Sequence, residues 1–392
     1  MAGLRGKAAI AGIWEHPSRR LPDRTRLQIH AECAINALAD AGLSMKDVDA
    51  LYTSGIGVDG GGMVLAEYLN ISPRMIDDTD VGGASYEAHV AHALANIAAG
   101  RCNVALLTYG ETAGPRRSVG TRVVGTRPGN SRAPRSFPAN YLELPWGLPL
   151  VGNYALVARR HMHQYGTKPE QLAEIAVAVR EHASRNPNAR YRDPITVDDV
   201  VHSRMISDPL HLLDCCVVCD GGGAVVVVSP EVARTCKKEP AWVLGVGEGY
   251  QHTSMGSRDI TYVAAHHSNQ AAWAMADIKP ADIDILMVYD SFTITALCTI
   301  EDLGFCKKGE GGAFVEGGRL TMEGDLPLNT DGGGLSSNHP GRRGIFLLIE
   351  ATRQLRGEST SQVKDARIAM AHGTGGFLST RHSGETVILG RE

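Results

Sequence analysis

The sequence predicts an α/β protein made of two similar halves, because the order strand, helix, strand occurs twice along the chain. A polar turn that ends in Asp-Val-Asp in the first copy and in Asp-Ile-Asp in the second precedes the second strand of each copy. The matching segments are the strands 8–13 and 241–247, the helices around 31–38 and 271–275, and the strands near 51 and 285–287. Two such halves are expected to pack their sheets around shared central helices.

A second pair of matching units strengthens this prediction. Residues 81–100 form a glycine-rich turn and a helix of small residues before a strand at 103–108. Residues 332–357 repeat the turn and the helix before a strand at 366–371. We therefore divide the chain into an N-terminal half, 1–240, and a C-terminal half, 241–392.

A segment from about 112 to 207 interrupts the first half. Its early part is rich in Arg, Pro and Gly and is typical of an irregular loop. Its later part, 153–186, is predicted to form two helices; Lys168-Pro169-Glu170 begins the second and Asn186-Pro187 ends it. After this inserted loop and helix domain, Val225 to Val228 predict a strand buried on both faces.

Composition excludes several classes of function. The 39 basic and 43 acidic side chains give a net charge of −4, which provides no basic surface for nucleic acid or an anionic membrane. No apolar run reaches transmembrane length, so membrane insertion is not expected. The eight cysteines lie mostly in apolar runs and are interpreted as reduced thiols, which favours a cytoplasmic location.

Several motifs together resemble the thiolase superfamily, and most closely the sterol-carrier-protein thiolase-like branch with its bacterial lipid-transfer-protein-like relatives. They follow in the expected order along nearly the whole chain: Tyr165-Gly166-Thr167, Asn186-Pro187, Leu213-Asp214-Cys215-Cys216, Asp220-Gly221-Gly222, Tyr289-Asp290-Ser291-Phe292, Asn329-Thr330-Asp331-Gly332-Gly333, Asn338-His339-Pro340-Gly341 and Gln354-Leu355-Arg356-Gly357. The resemblance implies the thiolase fold, in which two βαβαβαββ halves form a layered α-β-α-β-α core.

The resemblance also shows what this chain lacks. Thiolases cleave or form 3-oxoacyl-CoA with a nucleophilic cysteine at a helix N-terminus, where the helix dipole favours thiolate. That motif falls on Gly83-Ala84-Ser85, so no covalent acyl-enzyme can form at Gly83. Ser85 is interpreted as a capping hydroxyl and Cys102 as a buried residue at a strand edge, so neither replaces the lost sulfur.

Two other family motifs supply candidate catalytic residues. A His-Asp-Cys-Phe motif, which provides an oxyanion histidine and an acid/base cysteine, falls on Tyr289-Asp290-Ser291-Phe292. Tyr289 is a candidate acid or hydrogen-bond donor, with a buried structural tyrosine as the alternative, and Asp290 and Ser291 complete the set. His339 keeps the histidine of the Gly-His-Pro motif and could act as a base on a hydroxyl or polarise a carbonyl.

The remaining site residues are also implied by the resemblance. The family's Cys-x-Gly-Gly falls on Gly373-Thr374-Gly375-Gly376, whose backbone amides, with that of Gly83, suit a thioester oxygen. His372 is either a site residue or simply the end of a strand. Loop arginines at the family's coenzyme A approach could pair with its phosphates, with a solvated loop or a partner interface as alternatives: Arg116, Arg117 and Arg135.

No metal site is predicted, because Cys215, Cys216 and Cys219 lack further ligands at zinc-like spacing and are interpreted as structural. The adjacent pair is expected to point to opposite faces of a strand. The glycine runs near Gly60, Gly221 and Gly332 also lack the flanking residues of a nucleotide-phosphate loop.

Three functions follow as hypotheses. The first is a lyase that cleaves a 3-hydroxyacyl-CoA by a non-covalent retro-aldol reaction with Tyr289 and His339, as in steroid side-chain aldolases, some of which align a tyrosine with His339. The second is a non-catalytic subunit that binds acyl-CoA or lipid. The third is an acyltransferase, similar to acetyl-CoA acetyltransferase, completed by a partner subunit.

The cofactor and partner predictions come from the same resemblance. No tightly bound cofactor is expected, and coenzyme A enters as part of the substrate. The family implies a homodimer, and relatives of this group pair with a small OB-fold protein that carries a zinc ribbon.

Overall fold

A computed structural model describes residues 2–55, 60–114, 150–251, 258–378 and 380–391. The strands are β1 (Ala9–Glu15), β2 (Ala50–Thr53), β3 (Met75–Asp77), β4 (Val104–Thr112), β5 (Met205–Ser207), β6 (Leu210–His211), β7 (Asp220–Val228), β8 (Ala241–Gln251), β9 (Ile285–Val288), β10 (Ile368–Phe377) and β11 (Thr380–Gly390). The helices are α1 (Arg26–Ala41), α2 (Gly61–Tyr68), α3 (Ser85–Ala98), α4 (Leu150–Tyr165), α5 (Pro169–Arg185), α6 (Val197–Val201), α7 (Pro230–Ala233), α8 (Ala265–Ala276), α9 (Thr293–Leu303), α10 (Gly311–Val315) and α11 (Gly344–Arg356).

The main sheet has the strand order β3-β2-β4-β7-β1-β8-β11-β10-β9. Each half contains a parallel pair, β2 with β4 and β9 with β10, followed by antiparallel neighbours. The two halves join where Ala9 pairs with Trp242 and Ile10 with Ala241. The sequence predicted two separate sheets, and this short pairing of β1 with β8 makes them continuous, so neither strand leaves a free edge there.

The helices arrange the halves into five layers. Both α3 and α11 pack against strands of each half, so they form the shared central layer. Eleven of the 13 residues of α11 are buried, as expected for a helix enclosed on all sides. Outside them, α1 covers the first half and α8 covers the second. The layered α-β-α-β-α thiolase fold predicted from the sequence is therefore confirmed, whereas the domain boundary at residue 240 stays a prediction.

The repeated aspartates have the same role in both halves. The Asp49 carboxylate accepts hydrogen bonds from the amides of Asn103 and Val104, where β4 begins. The Asp284 carboxylate accepts them from Arg367 and Ile368, where β10 begins. Each aspartate thus ties the start of one parallel strand to its neighbour, which explains the recurrence of the motif.

The inserted helices support the C-terminal half. As predicted, α5 begins after Lys168 and ends before Asn186. The Asn186 side-chain amide donates from Nδ2 to the Asp331 carbonyl oxygen at 2.8 Å, and Arg180 donates to Ser336 Oγ at 2.7 Å. The insertion therefore holds the loop that leads to His339. Among the described residues, no helix is long and apolar enough to cross a membrane.

Candidate active site

The glycine turn, a single 3₁₀ turn at Gly82–Ala84, leads directly into α3. Ser85 Oγ accepts a hydrogen bond from the Val81 amide at 3.0 Å and donates one to the Gly82 carbonyl oxygen at 2.8 Å. These bonds close the turn. Ser85 is the first residue of α3 and its hydroxyl binds residues before the helix, so the interpretation of Ser85 as a capping hydroxyl is wrong. Cys102 is fully buried just before β4, as predicted.

The space beside Gly83 is filled by a residue from the other half. A β-carbon placed on Gly83 would lie 2.2 Å from Tyr289 Cε2 and 2.4 Å from the Thr374 carbonyl oxygen. Carbon atoms in contact are normally about 3.5–4.0 Å apart. Glycine fits position 83 because the Tyr289 ring and the Thr374 carbonyl oxygen occupy the volume that a cysteine side chain would need.

Tyr289 and His339 form a hydrogen-bonded pair next to this turn. Tyr289 Oη lies 2.9 Å from His339 Nε2 and 3.1 Å from the Gly341 carbonyl oxygen. When His339 Nε2 carries no proton, the phenol can donate to it. In the other tautomer Nε2–H donates to the phenol oxygen, and the phenol donates to the Gly341 carbonyl oxygen. Burial lowers the pKa of His339 to about 4 and raises the pKa of Tyr289 well above its usual value. Both groups are therefore neutral near pH 7, and the imidazole can accept a proton.

Buried charges hold the loop that carries His339. Arg343 is fully buried and binds both carboxylate oxygens of Asp331, at 2.6 and 2.7 Å. It also donates to Asn338 Oδ1 at 2.8 Å and lies 3.2 Å from Asp290. Because Asn338 directly precedes His339, this ion cluster fixes the position of the imidazole.

Asp290 was predicted as a member of the catalytic set. Its carboxylate is fully buried and accepts hydrogen bonds from the amides of Gly334 and Leu335 at 2.7 and 3.2 Å. Burial raises the pKa of Asp290, against the opposing effect of Arg343. These contacts make Asp290 an anchor for the turn before His339, and a direct catalytic role for it stays a prediction.

Residues that the sequence analysis did not select complete one wall of the site. Tyr154 of α4 packs against the ring of Phe292, with centroids 4.3 Å apart, and donates to the Gly376 carbonyl oxygen at 3.2 Å. Burial raises the pKa of Tyr154 to about 12, while a hydrogen bond with Ser291 lowers it. Ser291 Oγ itself lies 3.0 Å from Thr295 Oγ1. Tyr154 belongs to the inserted segment, where no motif distinguishes it.

Cysteine thiols also contact the site. The sequence predicted a strand at Cys215 and Cys216, but 216–219 form an irregular connection before β7. Cys219 Sγ accepts a hydrogen bond from the His339 amide at 3.3 Å, and the Cys216 amide donates to the Ser291 carbonyl oxygen at 2.9 Å. The backbone amide of Cys216 bonds to the loop carbonyl of Ser291 and not to a neighbouring strand, so no regular strand forms. The described residues contain no cluster of His, Cys, Asp and Glu that could hold a metal ion.

The glycine strip of β10 packs against the glycine turn. A β-carbon on Gly375 would collide with the Val81 carbonyl oxygen, and one on Gly376 with the Arg381 carbonyl oxygen. The backbone of β10 can therefore approach Val81 closely at Gly375, and the binding of a thioester oxygen by these glycines stays a prediction. Gly373 has a different neighbour, the carboxyl group of Glu87, with Oε2 only 2.2 Å from a β-carbon placed at 373.

His372 contributes through its backbone. Its carbonyl oxygen accepts a hydrogen bond from the Tyr289 amide at 3.0 Å, whereas its imidazole is buried and lies 2.9 Å from Thr386 Oγ1. Burial lowers the pKa of His372 to about 3. The structure records no hydrogen bond from this imidazole to Tyr289 or His339. The predicted coenzyme A contacts, Arg116, Arg117 and Arg135, lie outside the described residues.

Comparison with known proteins identifies the family. A family model described as "Thiolase C-terminal domain-like" matches residues 247–391. The chain is 36% identical to a steroid side-chain-cleaving aldolase of Thermomonospora curvata, over 96% of this chain and 97% of that protein. It is 34% identical to the 17-hydroxy-3-oxo-4-pregnene-20-carboxyl-CoA lyase of Mycobacterium tuberculosis and 32% identical to an acetyl-CoA acetyltransferase of Methanothermobacter thermautotrophicus, each over 95% of this chain and 97% of the relative.

Comparison with solved structures supports the same family. A solved Ltp2-ChsH2(DUF35) aldolase superposes with a TM-score of 0.87 at 33% identity, covering 99% of this chain and 98% of the matched chain. The chain therefore belongs to the thiolase superfamily, in the branch that contains sterol-carrier-protein thiolases and steroid side-chain-cleaving aldolases.

Proposed function

We propose that this chain is a lyase that cleaves a carbon–carbon bond of a 3-hydroxyacyl-CoA by a retro-aldol reaction without a covalent intermediate. The observation that carries the proposal is the arrangement of three residues. Tyr289 fills the volume beside Gly83 where a nucleophile would stand, and its hydroxyl is 2.9 Å from a neutral His339. The site has an acid/base pair in place of a nucleophile, which is what a retro-aldol cleavage requires.

The reaction follows from these two groups. The substrate hydroxyl gives its proton to Tyr289 Oη as the phenolic proton moves to His339 Nε2. The C–O bond becomes a carbonyl, the bond between the α and β carbons breaks, and its electron pair remains as a thioester enolate. Backbone amides of the Gly83 turn and the β10 glycine strip would stabilise the enolate oxygen. Protonation of the enolate carbon completes the acyl-CoA product.

The substrate proposal rests on the relatives and on this chemistry. Two relatives are named as an aldolase and a CoA lyase, so we assign coenzyme A to the substrate, with no tightly bound cofactor. Arg116, Arg117 and Arg135 are our candidates for its phosphates. The aldolase of known structure is named for two proteins, Ltp2 and ChsH2(DUF35). We therefore propose a partner subunit for this chain, a small OB-fold and zinc-ribbon protein, around a homodimer.

An acyltransferase is the second candidate, because one close relative is an acetyl-CoA acetyltransferase. That reaction needs a thiolate. Burial raises the pKa of Cys216 and of Cys219, so both thiols beside the site stay protonated. A nucleophile would have to come from another subunit. A pure binding subunit would leave the Tyr289–His339 pair without a role.

One assay separates these functions. The chain, purified with its partner, is incubated with a panel of 3-hydroxyacyl-CoA thioesters, and release of an aldehyde or ketone is measured without added coenzyme A. We expect turnover, with a loss of at least about 100-fold in Tyr289→Phe, which keeps the ring but removes the hydroxyl. Cleavage of 3-oxoacyl-CoA that requires free coenzyme A would instead support the acyltransferase, and binding without turnover of either substrate would support the binding subunit.

A further inference from the structure

Two buried carboxyl groups near the site take no part in deprotonating the substrate hydroxyl. Glu87 of α3 and Glu385 of β11 are each 1% exposed. Within the described part of the chain, none of their four carboxyl oxygens has a hydrogen-bond partner of ordinary geometry, although the Tyr250 hydroxyl lies close enough to Glu385 to lower its pKa. Buried polar groups are almost always hydrogen-bonded, so a pair that is not calls for a functional explanation.

Glu87 lies directly against the glycine turn. A β-carbon placed on Gly344 would be 2.2 Å from Glu87 Oε2 and 2.4 Å from the Gly83 carbonyl oxygen. One placed on Gly373 would also be 2.2 Å from Glu87 Oε2. Two glycines, one at the start of α11 and one in β10, therefore leave room for this carboxyl group, and no side chain of theirs separates it from the turn that carries Gly83.

Glu385 connects the position of Glu87 with the protein surface. It is the cross-strand partner of Gly373 on one side and of Glu248 on the other, so the three positions lie in a row on one face of the sheet. Glu248 accepts a hydrogen bond from the exposed Tyr250 at 2.9 Å and lies 3.5 Å from His92. The row therefore runs from the surface to the carboxyl group beside the glycine turn.

The surroundings keep both inner carboxyl groups protonated. Burial raises the pKa of Glu87 well above its usual value, with only a partial opposing effect from Arg343. Burial, followed by the charges of Glu87 and Glu248, raises the pKa of Glu385 to about 9. The protein would be more stable with an apolar side chain of similar volume at either position, because such a side chain has no oxygen that needs a hydrogen-bond partner. The pair thus stores protons at the expense of stability.

We propose that Glu87 donates the proton that converts the thioester enolate to product, and that Glu385 restores it from the surface. The proposal rests on the retro-aldol function. The Glu87 O–H bond breaks, the electron pair of the enolate forms the new C–H bond at the α carbon, and Glu87 is left as carboxylate. A proton from Glu385 neutralises it, and Glu385 is reprotonated from solvent beside Glu248. The hydroxyl proton held by His339 returns to solvent, so protons balance over the cycle.

The test follows exchange of the α-hydrogens of propionyl-CoA with D₂O by proton NMR, using the complex with its partner. This half-reaction runs the proposed donation in reverse and then forward: the ionised fraction of Glu87 takes an α-proton, and the carboxyl group returns a deuteron to the enolate, with no cleavage. We expect exchange in the wild type, a loss of at least 100-fold in Glu87→Gln, and a smaller loss, about 10-fold, in Glu385→Gln. Glu350→Gln is the matched control: this buried carboxyl already has hydrogen-bond partners, Thr330 and Ser359, and exchange should not change.

A second variant separates proton transfer from a structural role. Glu87→Met keeps the volume and removes both unpaired oxygens, so it should melt at or above the wild-type temperature while exchange is lost. Wild-type exchange in Glu87→Gln or Glu87→Met, or no exchange in the wild type, would overturn the proposal. If exchange depends on Glu87 but the protein cleaves no 3-hydroxyacyl-CoA, the proposed retro-aldol function is rejected and the assignment of Glu87 as proton donor stands.

Discussion

Gly83→Ala tests the central feature of the site, the packing of the Tyr289 ring where a nucleophile would stand. The added β-carbon would lie 2.2 Å from Tyr289 Cε2, so the ring would have to retreat by about 1.3 Å to reach an ordinary contact. A shift of that size directed away from His339 would stretch the 2.9 Å bond between Tyr289 and His339 to about 4 Å, beyond hydrogen-bonding distance. Backbone strain is not the cause, because φ at Gly83 is outside the left-handed region.

The expected effects follow from these distances. Overpacking of this kind costs about 1–3 kcal/mol in the free energy of unfolding. Misplacing a reacting group by about 1 Å costs about 100-fold in rate, so kcat/KM for the 3-hydroxyacyl-CoA should fall by about that factor. Urea unfolding measures the first effect and carbonyl release the second. Gly3→Ala is the control, since a β-carbon there meets nothing within 4 Å.

The pairing of positions 83 and 289 can be tested directly. If the ring is the obstacle, the free-energy cost of Gly83→Ala should be smaller in a Tyr289→Ala background than in the wild type. The contact with the Thr374 carbonyl oxygen remains in both backgrounds. Wild-type stability and wild-type kcat/KM in Gly83→Ala would refute the reasoning.

Three further predictions concern charge. The pKa of His339 is lowered to about 4, so the imidazole is already neutral at pH 5.5. The value of kcat/KM at pH 5.5 should therefore match that at pH 7. A fall in kcat/KM below about pH 6.5 would contradict His339 as the base. Asp331→Asn leaves the buried Arg343 short of a carboxylate and should lower the free energy of unfolding by about 3 kcal/mol, measured in urea, whereas a loss below about 1 kcal/mol would mean that the ion cluster does not hold the loop. Glu385 keeps its proton to about pH 9 when folded but releases it near pH 4.5 when unfolded, so wild-type stability falls as pH rises between those values, by at most about 5 kcal/mol at pH 8. Glu385→Gln removes this loss, so its stability relative to the wild type should be greater at pH 8 than at pH 5, and a pH-independent difference would exclude a buried neutral carboxyl group.

Features that depend on neighbours in the sequence were predicted well. The Lys168-Pro169 start and the Asn186 end of α5 follow from local capping and from the fixed φ of proline. Asp49 and Asp284 mark equivalent turns because their carboxylates bind amides at the start of an adjacent strand. The joining of the two sheets at β1 and β8 was missed, because strand pairing between distant segments leaves no local pattern.

The candidate site also has features that the sequence determines and features that only the packing of distant segments determines. The sequence by itself determined that Gly83 cannot act as a nucleophile and that Tyr289 and His339 are available, because residue identity sets what chemistry a position can perform. Only the tertiary structure decided that the Tyr289 ring takes the volume beside Gly83, that Tyr154 enters from the inserted helices, and that Glu87 lies against Gly373. The physical reason is that excluded volume and burial depend on which elements pack together across the layers, and residues far apart in the sequence set them jointly.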